Sequence, residues 1–207
     1  MSILVLTSDT LVSPAAAGNI EYSSPIFTGT PIGTERGIVP TQQYYRLNTA
    51  VVGSNATGAQ SIFGVGVTLS ASTVYEFESV YYMGKTAGTT SHTVGFGFGG
   101  TATINNIFWN AGGQDSTSAF PFRLTTSQTV VSNSVANIAM TGALTNATMN
   151  LFAIVKGTVS INAGGTFIPQ YTLSAAPGGA YSTLAGSYIR INPLSASGAA
   201  TNVGTWS

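Results

Sequence analysis

Cysteine is absent from the 207 residues, and charge is scarce: 6 Lys and Arg balance 6 Asp and Glu, 6% of the chain. Without cysteine there is no disulfide framework, no thiolate zinc site and no cysteine nucleophile. One histidine, His92, cannot by itself supply the three or four ligands that zinc needs. Asp115 is the single acid of a Gly-rich stretch, and no carboxylate-rich loop suggests calcium. No metal or other cofactor is expected. Six scattered bases cannot form the positive stripe that nucleic acid requires, nor a polybasic patch for an anionic membrane. Long apolar runs are missing too. The uncharged stretch Leu124–Val155 holds 14 Ser, Thr, Asn or Gln among 32 residues, which excludes a transmembrane helix. The N-terminus has no basic region, and its apolar run stops after four residues at Thr7. No secretory signal is expected, despite Ala15-Ala16-Ala17.

Hydroxyl residues take the place of charge: 29 Thr and 23 Ser make up a quarter of the chain. A globule of this mass exposes about 9,000 Å², or about 750 Å² per charge. The hydrophobic fraction of 43%, with 10% aromatics, is that of a folded domain. Helical spacing of apolar residues is not found, and helix formers are few. Period-two alternation recurs instead. Tyr45, Leu47, Thr49 and Val51 form one such face, and His92, Val94, Phe96 and Phe98 another. Leu151, Ala153, Val155, Gly157, Val159 and Ile161 form the longest, and Ile189 with Ile191 a fourth. Turn chemistry separates these runs at Gly53-Ser54-Asn55, Ala87-Gly88-Thr89, Ala111-Gly112-Gly113-Gln114-Asp115, Gly164-Gly165 and Pro177-Gly178-Gly179. About nine strands are expected between Gln42 and Leu194. Many short antiparallel strands without helices predict an all-β protein, an antiparallel β-sandwich of jelly-roll-like form.

Three regions are expected. Pro14, Pro25, Pro31 and Pro40 punctuate residues 1–40, and such proline density cannot enter central strands. That segment reads as an extended N-terminal anchoring arm. Residues 41–194 form the sandwich knob. Residues 195–207, mostly small and polar, read as a loose tail that Trp206 could pin.

Catalytic constellations are thin. Glu76 and Glu78 share one face of the alternating strand Val74–Met83, about 6.5–7 Å apart by strand geometry, a spacing used by inverting glycosidases. Such enzymes place the two acids on opposite sides of the sugar, so a solvent-facing pair is the plainer reading. A Ser-His-Asp site would need His92 beside Asp9 or Asp115, and no nucleophile elbow is present. The run Gly95-Phe96-Gly97-Phe98-Gly99-Gly100 is followed by a strand pattern, Thr101–Trp109, rather than by a phosphate-binding helix. Its glycines are expected to allow close backbone approach. Asn55 and Asn146 sit in glycosylation sequons that chance explains in so Asn- and Thr-rich a chain. Tyr44, Tyr45, Tyr75, Tyr81, Tyr82 and Trp109 could stack on sugars, or could equally be core or subunit interface. No catalytic residue emerges, and the chain is not expected to be an enzyme.

Two stretches resemble virion proteins of tailed bacteriophages, cyanophages in particular. One comprises Ala17-Gly18-Asn19-Ile20-Glu21-Tyr22, then Phe27-Thr28-Gly29-Thr30-Pro31, then Thr34-Glu35-Arg36-Gly37-Ile38-Val39-Pro40. An Asp-Gly turn usually follows the Glu-Tyr in that family; Ser23-Ser24-Pro25 stands here. The other runs from Lys156 to Gln170 and continues through Leu173–Ala176 and Gly186–Ile191. It is similar to the closing strands of virion β-sandwich knobs. Gln43–Ser72 and Gly100–Ile107 look related as well, so the resemblance covers about two thirds of the chain. It implies a non-enzymatic structural protein on the virion surface, assembled in the infected host cytoplasm. The form implied is a homotrimeric capsid decoration, cement or head-fibre knob that docks on the major capsid protein, or on other virion proteins, through its arm. The alternative is a short tail-fibre tip that binds host surface polysaccharide. The absence of a repeat or heptad shaft favours the head.

Overall fold

Alternation becomes architecture most clearly at residues 73–85. Thr73, Tyr75, Phe77, Tyr81 and Met83 are buried on one side of a single long strand, while Glu76 points to solvent. The structure, a computed structural model, describes residues 6–117, 126–200 and 202–206. Among these residues every element is a strand, and every strand pairing is antiparallel. The arm contributes β1 (Ile20–Ser23), β2 (Ile26–Gly29) and β3 (Gly37–Val39). Next come β4 (Gln43–Arg46), β5 (Val51–Val52), β6 (Gln60–Ser61), β7 (Val67–Leu69), β8 (Thr73–Lys85) and β9 (Val94–Gly99). The chain continues through β10 (Thr103–Ser116), β11 (Thr126–Ser132), β12 (Ile138–Ala139), β13 (Met149–Ala163), β14 (Gly165–Leu173), β15 (Ser182–Thr183) and β16 (Tyr188–Ala196).

The protein is a β-sandwich. Its larger sheet runs β11-β10-β13-β8. Beyond β8 lie β15 and β16, with β5 outside β15 and β4 outside β16. The smaller sheet runs β12-β9-β14-β6, and β7 also pairs with β14. Aromatic rings fill the space between the sheets. Phe98 stacks on Phe167 at 4.6 Å and meets Phe77 edge-on at 5.1 Å and Trp109 at 5.5 Å. Tyr81 meets Phe96 at 5.3 Å. The inward row of β13 is the one the sequence alternation predicts: Leu151, Ala153, Val155, Val159 and Ile161 are all buried. Gly157 falls opposite Phe77 in the register. A Cβ there would run into the Phe108 carbonyl and lie 2.7 Å from the Trp109 Cα.

Three expectations need correction. Ala111-Gly112-Gly113-Gln114-Asp115 is no turn: it lies inside β10, paired on both sides along the larger sheet. A Cβ on Gly113 would collide with the Phe152 carbonyl and the Met140 side chain, so close packing rather than turning selects glycine. The arm is not merely extended. Its prolines stay out of strands, yet β1, β2 and β3 form a three-stranded sheet between them. Glu21 and Arg36 hold that sheet with an ion pair of 2.8 Å, and both also bind the backbone of Val12. The tail begins later than expected, because β16 passes a bulge at Pro193 and pairs Ser195 and Ala196 with β8. Trp206 is 79% exposed, and its indole nitrogen donates to the Val203 carbonyl within the tail itself. No helix of the described residues is long and apolar enough to cross a membrane.

Candidate functional site

Glu76 and Glu78 leave the same outward face of β8 rather than opposite sides of a cleft. Glu78 is held by Arg190 at 3.1 Å and accepts a hydrogen bond from the Tyr188 hydroxyl at 3.3 Å. Burial, then the nearby Glu78 charge, raises the Tyr188 pKa. His92 is 2% exposed and serves the core. Its Nδ1 lies 2.7 Å from the Thr90 carbonyl, which can only accept, so Nδ1 carries the proton. Nε2 lies 2.9 Å from the Tyr181 hydroxyl. Asp115 is occupied by the Gln128 amide at 2.8 Å, and Asp9 lies on the arm beside Tyr22. The glycine run forms β9. Cβ atoms on Gly95 and Gly97 would meet the Ile138 and Val135 carbonyls at 2.8 and 2.7 Å, so close backbone approach explains both. Among the described residues no three His, Asp or Glu converge as a metal site.

The six aromatic candidates divide by burial. Tyr75, Tyr81 and Trp109 belong to the core between the sheets, at 5%, 1% and 2% exposure. Tyr82 is half-buried on the outer face of the larger sheet, against Phe152 at 5.5 Å. Tyr44 and Tyr45 remain, 55% and 42% exposed, on the edge strand β4. Among the described residues β4 pairs only with β16, which leaves its other backbone edge open.

Beside that edge the sandwich gapes. A groove of about 320 Å³ enters between the sheets. One wall is Gln43, Tyr45, Ile189 and Ile191 from the larger sheet, with Tyr44 at the lip. The other is Phe63, the segment from Val65 to Thr68, and Pro169. The Tyr45 ring stands edge-on to Phe63, centroids 6.0 Å apart at 86°. No lining residue is ionisable apart from the two tyrosines. The second wall was not anticipated from the sequence. Its signal was the alternation of Val65, Val67 and Leu69, which is too short to stand out.

Two further surfaces expose apolar side chains. The outer face of the larger sheet exposes Phe108, Val131 and Ile154, at 60%, 72% and 39%, on the same face as Lys156, Glu76, Glu78 and Arg190. The arm exposes Ile20, Ile32 and Val39, at 67%, 65% and 41%. Ile20 and Val39 lie with Tyr22 and Phe27 on one side of the arm sheet, whose other side buries Ile26 and Thr28.

No family model matches the chain, and no curated protein matches it. A solved structure titled "Structure of infectious bursal disease virus Gx strain" aligns with 81% of this chain and 45% of that one, at 9% identity and a TM-score of 0.19. A likeness of that degree carries no argument.

Proposed function

We propose that the protein is a non-enzymatic structural component of a tailed-phage virion. In this reading it is a homotrimeric β-sandwich knob that decorates the head as a cement or head-fibre protein. Residues 1–40 dock on the major capsid protein or its neighbours, and the knob faces outward. The observation that carries the reading is the apolar side of the arm sheet, where Ile20 and Val39 stand exposed, in a chain with only 12 formal charges. Apolar, weakly charged faces are suited to burial in a permanent assembly, where few ions must be desolvated. The resemblance of the arm and closing strands to virion proteins supports the same reading. Labelling intact particles with an antibody against the protein tests it. Signal over the head is expected, and absence of labelling on particles with an accessible epitope overturns it.

The arm gives a second test. The buried core runs from Leu47 to Ile191 and includes no arm residue. Deleting residues 1–40 should therefore leave a knob that folds but no longer enters particles. Normal incorporation of the truncated knob would remove the arm from the anchoring role.

The second reading is recognition of host surface polysaccharide, and the groove beside Tyr44 and Tyr45 favours it. Antibody signal confined to the tail tip would select this reading over the first.

A further inference from the structure

We infer that the groove between β4 and the segment from Phe63 to Thr68 is a binding site for a neutral sugar, with Tyr45 as its stacking platform. The inference rests on the glycan-recognition reading and names the site for it. Size is the first consideration. About 320 Å³ lies at the lower end of small-ligand sites, enough for one pyranose ring with a neighbour projecting out of the mouth.

Chemistry narrows the ligand. The lining has no Asp, Glu, Lys, Arg or His, so a charged group would lose its hydration without gaining a counter-ion. A purely apolar ligand would leave the polar groups at the mouth unused. Gln43 and Thr68 bring an amide and a hydroxyl, Tyr45 brings a phenol, and the open edge of β4 brings backbone donors and acceptors. A neutral sugar matches both halves of this surface. Its axial C–H face is apolar and flat enough for an aromatic ring, and its rim is hydroxyl.

Position argues the same way. Leu47, two residues after Tyr45 and just past the end of β4, is only 4% exposed and belongs to the core, whereas Tyr45 keeps 42% of its surface in water. The ring is anchored on one edge by Phe63 and open on the other side. A platform for a sugar needs that combination of fixed orientation and free face. The far wall is held close by Gly66, where a Cβ would meet the Ile168 side chain at 2.6 Å.

The test is saturation-transfer NMR on the full-length protein with methyl glycosides of glucose, galactose, mannose and rhamnose, and with methyl glucuronide as charged comparator. Transfer to at least one neutral glycoside is expected, with weaker transfer to the glucuronide. Tyr45→Ala should weaken that binding by about tenfold or more, while Tyr45→Phe, which keeps the ring, should stay within about threefold. Both variants are first checked by circular dichroism. If Tyr45→Ala does not fold, Val65→Trp, which fills the groove from its exposed lip, takes its place with the same expectation. Absence of transfer from all the neutral glycosides overturns the glycan reading together with the site. Binding that survives both ring removal and groove filling overturns the site alone and leaves glycan recognition to another surface.

Discussion

Lys85 is buried without a carboxylate among its hydrogen-bond partners. It is 3% exposed, and its Nζ lies 3.2, 2.6, 2.6 and 3.3 Å from the carbonyl oxygens of Ala87, Gly88, Asn146 and Ala147. The ammonium thereby ties the loop after β8 to the loop before β13. Burial lowers its pKa, and the carbonyl dipoles offset part of the desolvation. Lys85→Met keeps the apolar stem and strands the carbonyls. We expect a loss of about 3 kcal/mol in urea denaturation. A loss below about 1 kcal/mol would mean that water replaces the ammonium freely. Thr28 presents the opposite case. It is fully buried, and among the described residues its hydroxyl has no partner. Thr28→Val replaces that hydroxyl by a methyl group of similar shape in a strand. A gain of about 1 kcal/mol is expected, read as a higher urea midpoint; a loss would reveal a water bound to the hydroxyl.

Within an element, neighbouring glycines can have opposite roles. Gly112 and Gly113 are adjacent in β10. A Cβ on Gly112 meets nothing within 4 Å, whereas one on Gly113 lies 3.0 Å from the Ala153 Cα and collides with two nearer groups. Gly112→Ala should therefore hold or raise stability by about 0.5 kcal/mol. Gly113→Ala should cost about 2–3 kcal/mol through overpacking. Equal effects in thermal melts would refute this assignment. The same pair shows why β10 was only half legible. Phe152 and Met140, which make position 113 tight, lie on other segments, so nothing local distinguishes this glycine from a turn glycine. β8 and β13 were legible because their own alternation carries the burial pattern. The strands of the arm were missed because each is three or four residues long between prolines. At the candidate site Tyr44 and Tyr45 could be picked out as aromatics. Parity with Phe77 assigns Tyr75 and Tyr81 to the core and Tyr82 to the outer face. The groove itself was invisible, since its walls come from segments about twenty residues apart and from β14 and β16.

For the whole molecule, a nearly uncharged interior makes alkaline pH the sensitive direction. Tyr81, Tyr171 and Tyr181 are at most 1% exposed and lie between the two sheets. Burial raises all three pKa values, that of Tyr171 to about 12; for Tyr181 the Asp115 charge adds to the effect. The unfolded chain releases these protons near pH 10, while the folded chain retains them to higher pH. Their contribution to stability is therefore fully present below pH 10 and is lost as pH rises toward the folded values. Each tyrosine that is ionised only in the unfolded state removes about 1.4 kcal/mol per pH unit, so the three together remove about 4 kcal/mol per unit. Lys85 works the other way. Its lowered pKa makes stability rise with pH between the folded value and about 10.5, where the unfolded lysine also loses its proton. The stability profile should consequently peak near pH 10 and fall steeply above it. Urea midpoints across this range, followed together with tyrosinate absorbance, test the account. Tyr171→Phe, which gives up one hydrogen bond to Gln60, should lessen the alkaline slope by about a third. Stability unchanged to pH 12, or a slope that Tyr171→Phe leaves intact, would place the titrating groups outside the core.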